Sequence, residues 1–220
     1  MSKIGVVLSG CGVYDGTEIH EAVITLLALD QAGVESVIMA PNIGQLHVVN
    51  HLSGEEMQME NRNVLVESAR IARGNIRDIA LVNSTDLDAL IFPGGFGVAK
   101  NLSDFAMVGA DCEIYPDILR LTSEIIEANK PIGAICIAPA FLAKILELMG
   151  KSARLTIGND ESTAKNIVQM GSKHTVCNVG DILVDETNKI VSTPAYMVGN
   201  RISEVAIGIE KLVEKLISML

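Results

Sequence analysis

No apolar run in this 220-residue sequence approaches the roughly 20 residues that cross a bilayer. A membrane-spanning role is therefore not expected. No cluster of Lys and Arg stands out either: 17 basic residues face 27 acidic ones, for a formal charge of −10. An acidic surface repels a phosphate backbone, which argues against nucleic acid as a partner. Cysteine is sparse. Cys11, Cys112, Cys136 and Cys177 are far apart and include no C-x-x-C pair, so redox metal sites and zinc ribbons have no support. His20-Glu21 begins like H-E-x-x-H, but Ile24 stands where the second His belongs, and no metal is expected. Repeats, low-complexity tracts and linker-like stretches are also missing, which leaves residues 1–220 as one domain.

Hydrophobic residues are abundant at 49%, and mean hydropathy is +0.36. That is ample material for a buried core. A core of this size does not need disulfides, so reduced thiols and a cytoplasmic setting are expected. Leu8-Ser9-Gly10-Cys11 imitates a lipoprotein cleavage box. The apolar stretch before it, Ile4 to Leu8, is shorter than the roughly 7 residues of a signal core, so a buried first strand is the better reading.

The pattern along the chain alternates strand and helix. Short apolar runs at Ile4–Leu8, Val37–Ala40, Ala89–Phe92 and Ile132–Ile135 read as parallel strands covered on both faces. Further strands are expected at Leu155–Ile157, Ile182–Val184 and Lys189–Val191. Helices are expected over Glu18–Ala32 with Thr17 as N-cap, Asn63–Arg73, Pro116–Asn129, Pro139–Met149 and Ser162–Met170. A final helix from about Arg201 carries an apolar stripe: Ile202, Val205, Ile209, Leu212, Val213, Leu216 and Leu220. Residues 41–62 break the rhythm, as a short strand or an irregular insertion. The fold class is α/β: a flavodoxin-like three-layer sandwich, mostly parallel, with helices on both faces.

Ligands of open α/β sheets bind beyond the carboxyl ends of the strands. Three segments should meet there: Ser9 to Glu21, Pro93-Gly94-Gly95, and the turn at Cys136. Cys136 lies between a strand and a helix whose first turn holds Pro139. Free backbone N–H groups and the helix dipole there favour thiolate, so a lowered pKa is expected. The N–H groups of Ile137 and Gly95 are candidate oxyanion donors. Glu21, one turn into the first helix, could share a hydrogen bond with the sulfur, with its own pKa raised by apolar walls. Gly10-x-Gly12-x-x-x-Gly16 is off a dinucleotide fingerprint by one residue, and no acidic residue follows the second strand to hold a ribose. No nucleotide or other cofactor is expected. That loop is expected to roof a small pocket, with Cys11, Gly12, Tyr14 and Asp15 near its mouth.

Together these residues resemble the PfpI-like branch of the class I glutamine amidotransferase-like superfamily: Glu21, Pro93-Gly94-Gly95 followed by Asn101-Leu102-Ser103, and Ala134-Ile135-Cys136. The run from Leu8 to Ala22, with Phe92-Pro93-Gly94-Gly95-Phe96-Gly97, Cys136-Ile137-Ala138-Pro139 and Thr193-Pro194-Ala195-Tyr196-Met197, resembles the ElbB glyoxalase family, also called enhancing lycopene biosynthesis or sigma cross-reacting protein. The resemblance implies a glyoxalase III-type reaction of a small aldehyde, without glutathione or metal. Cys136 would be nucleophile and Glu21 its proton carrier, with an indirect link to isoprenoid biosynthesis. It also implies a homodimer, for which an apolar surface around Met39 or Met107 could serve, and a pocket role for His174. A thiol redox or carbonyl-stress sensor is the alternative. Two departures count against other activities. Thr193-Pro194-Ala195-Tyr196 replaces the His-x-Glu pair of glutaminases, and Ile137 replaces the His that follows the cysteine of protease-like relatives.

Overall fold

The apolar runs pair side by side into one sheet, seen in a computed structural model that describes residues 2–220. In chain order the elements are β1 (Lys3–Val7), α1 (Ile19–Gln31), β2 (Glu35–Ala40), α2 (Val64–Ile71), β3 (Arg77–Asp78), β4 (Ala89–Phe92), α3 (Phe96–Lys100), α4 (Phe105–Val108), α5 (Pro116–Glu127), β5 (Ile132–Ile135), α6 (Ala138–Leu148), β6 (Arg154–Leu155), α7 (Glu161–Gln169), β7 (Lys173–His174), β8 (Leu183–Asp185), β9 (Ile190–Thr193) and α8 (Ile202–Ile217). The main sheet runs β3-β2-β1-β4-β5-β9-β8, parallel throughout except for β8 against β9. β6 and β7 form a separate two-stranded ladder.

Side chains alternate across each strand, and this sorts the core into two layers. Ile4 and Val6 of β1 and Ala89 and Ile91 of β4 face α1 and α8. Leu90 and Phe92 of β4 face α5 and α6, where Phe92 meets Phe141 edge-on at 5.0 Å between ring centres. The α8 stripe joins the first layer through Val205, Ile209, Leu212, Val213 and Leu216, while Ile202 and Leu220 stay exposed. The sheet helps it approach: a Cβ on Gly133 of β5 would lie 2.8 Å from Leu212 Cδ2.

Several local expectations change in the folded chain. The N-cap of α1 is Glu18, whose carboxylate accepts from the Glu21 N–H at 2.7 Å. Thr17 instead turns inward, its hydroxyl accepting from the Ser9 N–H at 2.7 Å. Residues 41–62 hold no strand. Isolated bridges (Gly44 with Asn63, Val49 with Glu56) close the segment on itself, and its Val49 N–H fastens it to Asp15 of the first loop. The Leu155–Ile157 strand shrinks to Arg154–Leu155 and leaves the main sheet. Met39 is fully buried beneath the sheet, so it cannot belong to a dimer surface, whereas Met107 is exposed.

Candidate active site

The first crossover leads from β1 to β2 on one side, whereas β4 joins β1 on the other, so the chain changes direction between β1 and β4. That switch leaves a crevice at the strand ends. The loops rimming it are fastened to each other through backbone. Glu18 N–H donates to Gly94 O at 2.9 Å, Phe96 N–H to Val13 O at 2.8 Å and Gly97 N–H to Gly16 O at 2.8 Å. Buried Asn101 adds side-chain clamps. Its amide donates to Ser9 O (2.8 Å) and Asp15 O (2.9 Å), and its oxygen accepts from the Leu46 N–H (3.0 Å). Gly95 sits at φ +97°, packed so closely that a Cβ would strike the backbone of Gly16 and Glu18.

Cys136 follows β5 directly and takes φ 63°, a left-handed conformation rarely adopted by a side-chain-bearing residue. Its own N–H donates to the O of Thr193, the last residue of neighbouring β9, at 2.9 Å, which holds the turn. Ile137 then opens α6, with Pro139 in the first turn. The backbone N–H groups of Gly95 and Ile137 both donate toward the Cys136 sulfur. The expected lowering of the thiol pKa nevertheless fails. Burial raises it well above 9.0, the Glu21 carboxyl raises it further, and the two amides offset only part of this. Desolvation of a thiolate outweighs a helix end when no cation stands nearby. Iodoacetamide at about pH 8 should therefore modify Cys136 at least about tenfold more slowly than a free peptide thiol, as mass mapping can follow. Labelling as fast as the free thiol would contradict the protonated resting state.

Glu21 is fully buried on α1. One carboxyl oxygen accepts from the Gly94 N–H at 2.8 Å and the other from the Tyr196 N–H at 3.4 Å, and the group is hydrogen-bonded to the Cys136 side chain. Burial first, and the nearby Glu18 carboxyl second, push its pKa up to about 8. Gly94 makes this closeness possible. A Cβ there would collide with Cys136 Cβ and lie 2.7 Å from Glu21 Oε2.

A cavity of about 330 Å³ opens at Cys136, lined mainly by apolar groups, among them Val13, Phe96, Phe105 and Met197. Its polar lining comes from Glu18, Asp160, Thr163 and Tyr196, together with the Gly95 and Ile137 backbone. The expected set of Cys136, Glu21, Gly95 and Ile137 is thus brought together. The other expected pocket residues are not. Cys11 lies near Glu67 and Arg70. Gly12 (φ +137°) backs onto His51, and Tyr14 stacks on the His51 ring at 4.9 Å. Asp15 is buried as an acceptor for the Val49 N–H at 2.7 Å. These contacts anchor residues 41–62. His174 ends the β6–β7 ladder, where its Nε2 accepts from the Ile157 N–H at 3.4 Å, and it does not line the cavity. Conversely, Glu18, Phe96 and Tyr196 line the cavity without having been singled out. All three stand inside motifs that carry the resemblance (Leu8 to Ala22, Phe92 to Gly97 and Thr193 to Met197), but no chemical pattern marked them out.

Comparison with known proteins fits this geometry. The profile of the DJ-1/PfpI family matches residues 11–183. The rat (Rattus norvegicus) ES1 protein homolog, mitochondrial, is 44% identical, over 99% of this chain and 84% of its own length. A crystal structure of an isoprenoid biosynthesis protein with an amidotransferase-like domain from Ehrlichia chaffeensis superposes with a TM-score of 0.93 at 38% identity, covering 100% of this chain and 99% of that one. Glyoxalase III from Candida albicans shares the fold alone, with a TM-score of 0.60 at 13% identity, over 100% and 97% of the two chains. Curated relatives are named mitochondrial, so the cytoplasmic expectation does not stand.

Proposed function

This chain belongs to the DJ-1/PfpI family, and from that premise we propose that it is a cofactor-free enzyme of small 2-oxoaldehydes, a glyoxalase of the ElbB type. One observation carries the reading: a buried carboxyl with a pKa near 8 is hydrogen-bonded to a cysteine on a strained turn, and two amides point at the same sulfur. An acid that is partly ionised near neutral pH can both accept and return a proton.

The sulfur adds to one aldehyde carbon of glyoxal or methylglyoxal. Its proton passes through Glu21 to the carbonyl oxygen, giving a hemithioacetal. Glu21, again a carboxylate, takes the hydrogen from the carbon bonded to sulfur, and that electron pair becomes a carbon–carbon double bond. Returning the proton to the neighbouring carbon leaves the thioester of a 2-hydroxy acid. Water cleaves the C–S bond, releasing glycolate or lactate and restoring the thiol. One carbon is oxidised as its neighbour is reduced, so no external oxidant is consumed. The Gly95 and Ile137 amides hold the oxyanion during addition and hydrolysis.

The resting thiol disfavours the sensor alternative, since thiolates are the form that peroxide oxidises. Purified protein mixed with glyoxal should produce glycolate, measured by NMR. The rate should climb about tenfold per pH unit below about pH 8 and level off above it, because ionised Glu21 is the competent base. Oxygen gain at Cys136 after mild peroxide, with no glycolate formed, would favour sensing and overturn the enzymatic reading.

A further inference from the structure

The rearrangement from hemithioacetal to thioester moves two protons. One shifts from carbon to carbon, and Glu21 serves it. The other leaves the oxygen on the carbon bonded to sulfur and ends on the neighbouring oxygen, which becomes the hydroxyl of the product. Glu21 carries one exchangeable proton and is committed to the carbon. A second protic group must therefore face the oxygens.

Among the polar side chains on the cavity wall, the phenol of Tyr196 suits this task. Tyr196 follows β9, the strand paired with β5 (Ile135 beside Thr193), so it lies next to the cysteine turn. Its backbone N–H reaches Glu21 Oε1 at 3.4 Å, which ties its position to the carbon-side acid. Its hydroxyl is 2.8 Å from His20 Nδ1. The His20 side chain is 54% exposed, so the pair links the cavity to solvent, and Glu18 Oε1 lies 3.8 Å from the same nitrogen. An N–H given to the phenol oxygen leaves the phenolic O–H free to donate into the cavity. The other polar side chains are engaged in helix caps: Asp160 caps α7 by accepting the Thr163 N–H at 2.7 Å and pairs with the Thr163 side chain, and Glu18 caps α1.

We propose that Tyr196 is a catalytic residue moving the second proton between the two substrate oxygens, with His20 positioning it and connecting it to solvent; this rests on the aldehyde reading above. As the C–H pair becomes the double bond, the phenol gives its proton to the distal carbonyl oxygen and draws one from His20 Nδ1, while the exposed ring takes one from solvent at Nε2. As Glu21 reprotonates the distal carbon, the hydroxyl on the sulfur-bound carbon loses its proton to the phenol, whose own proton returns to His20 Nδ1 as Nε2 releases one to solvent. No proton is gained or lost overall.

The test compares Tyr196→Phe and His20→Ala with the unaltered protein, reading glycolate formation by NMR and Cys136 alkylation by mass spectrometry. Tyr196→Phe should lower turnover about 100-fold with alkylation within about twofold of the unaltered protein. His20→Ala should lose less, and added imidazole should restore it while leaving Tyr196→Phe unrescued. Turnover in Tyr196→Phe within about threefold of the unaltered protein would overturn the tyrosine's role alone. Alkylation falling in step with turnover would mean that Tyr196 merely places the pair, and would also overturn it. An unaltered protein that yields no glycolate overturns the aldehyde reading, and this proposal with it.

Discussion

At about pH 7, Glu21→Gln is expected to melt several degrees above the unaltered protein while turning glyoxal over at least about 100-fold more slowly. The gain follows from the cost of ionising a carboxyl in the core. In the folded chain Glu21 holds its proton up to about 8, against 4.5 in the open. Between those values the folded state binds a proton that the unfolded chain has released. Stability therefore falls as pH rises through this window, and becomes flat above it. Each pH unit costs about 1.4 kcal/mol, so roughly 3 kcal/mol is lost by about pH 7. Glutamine is neutral throughout and keeps an oxygen for the Gly94 N–H. For a chain of this size, about 3 kcal/mol corresponds to roughly 6–12 °C in Tm. Thermal melts from about pH 4.5 to 9 should show the difference growing with pH and vanishing at the acid end. A constant difference, or a destabilised variant at about pH 8, would contradict the buried-acid account. Stability gained where activity is lost is the usual signature of a functional group held against its own solvation.

Cys136→Ala should reduce glycolate formation to the uncatalysed background, a loss of at least about 1,000-fold, by analogy with removal of other nucleophiles. No other cysteine can substitute, because none of Cys11, Cys112 and Cys177 lines the cavity. The fold should survive. Alanine meets the same demand for φ 63°, and what changes is the loss of the sulfur as acceptor for the Gly95 and Ile137 amides. Each such unpaired donor costs about 1–3 kcal/mol if it stays dry, and the open cavity lets water reach them. Melting within a few degrees of the unaltered protein, beside absent turnover measured by NMR, is the expected pair of results. Turnover that persists in Cys136→Ala would remove the covalent mechanism.

The candidate pair was legible in the sequence, and so was the raised pKa of Glu21, whereas the expected thiolate at Cys136 was wrong. Cys136 betrayed itself because a buried strand, a cysteine and a first-turn proline follow one another. Glu21 was visible by its place on the first helix. The place of a cysteine at a helix start does not by itself carry a protonation state. A helix end favours thiolate locally, but the desolvation of the sulfur depends on how the β1, β4 and β9 loops close over it, and those loops are distant in sequence. The same limit explains Cys11, Gly12 and Tyr14. Their glycine-rich loop looked like a pocket roof, yet Gly12 and Tyr14 pack on His51, Cys11 lies near Glu67 and Arg70, and only Val13 turns toward the cavity. His174 belongs to a small ladder outside the main sheet, a placement that depends on a strand of two residues.

What this sequence determined alone was whatever local patterning controls: buried parallel strands from unbroken apolar runs, the stripe of α8, and the cysteine at a strand-to-helix turn. Strand order, the approach of Tyr196 to Glu21 across 175 residues, and the proton kept on the Cys136 sulfur were decided only by the tertiary structure. Those depend on which loops exclude water together, and solvation is a property of the assembled surroundings rather than of any segment within them.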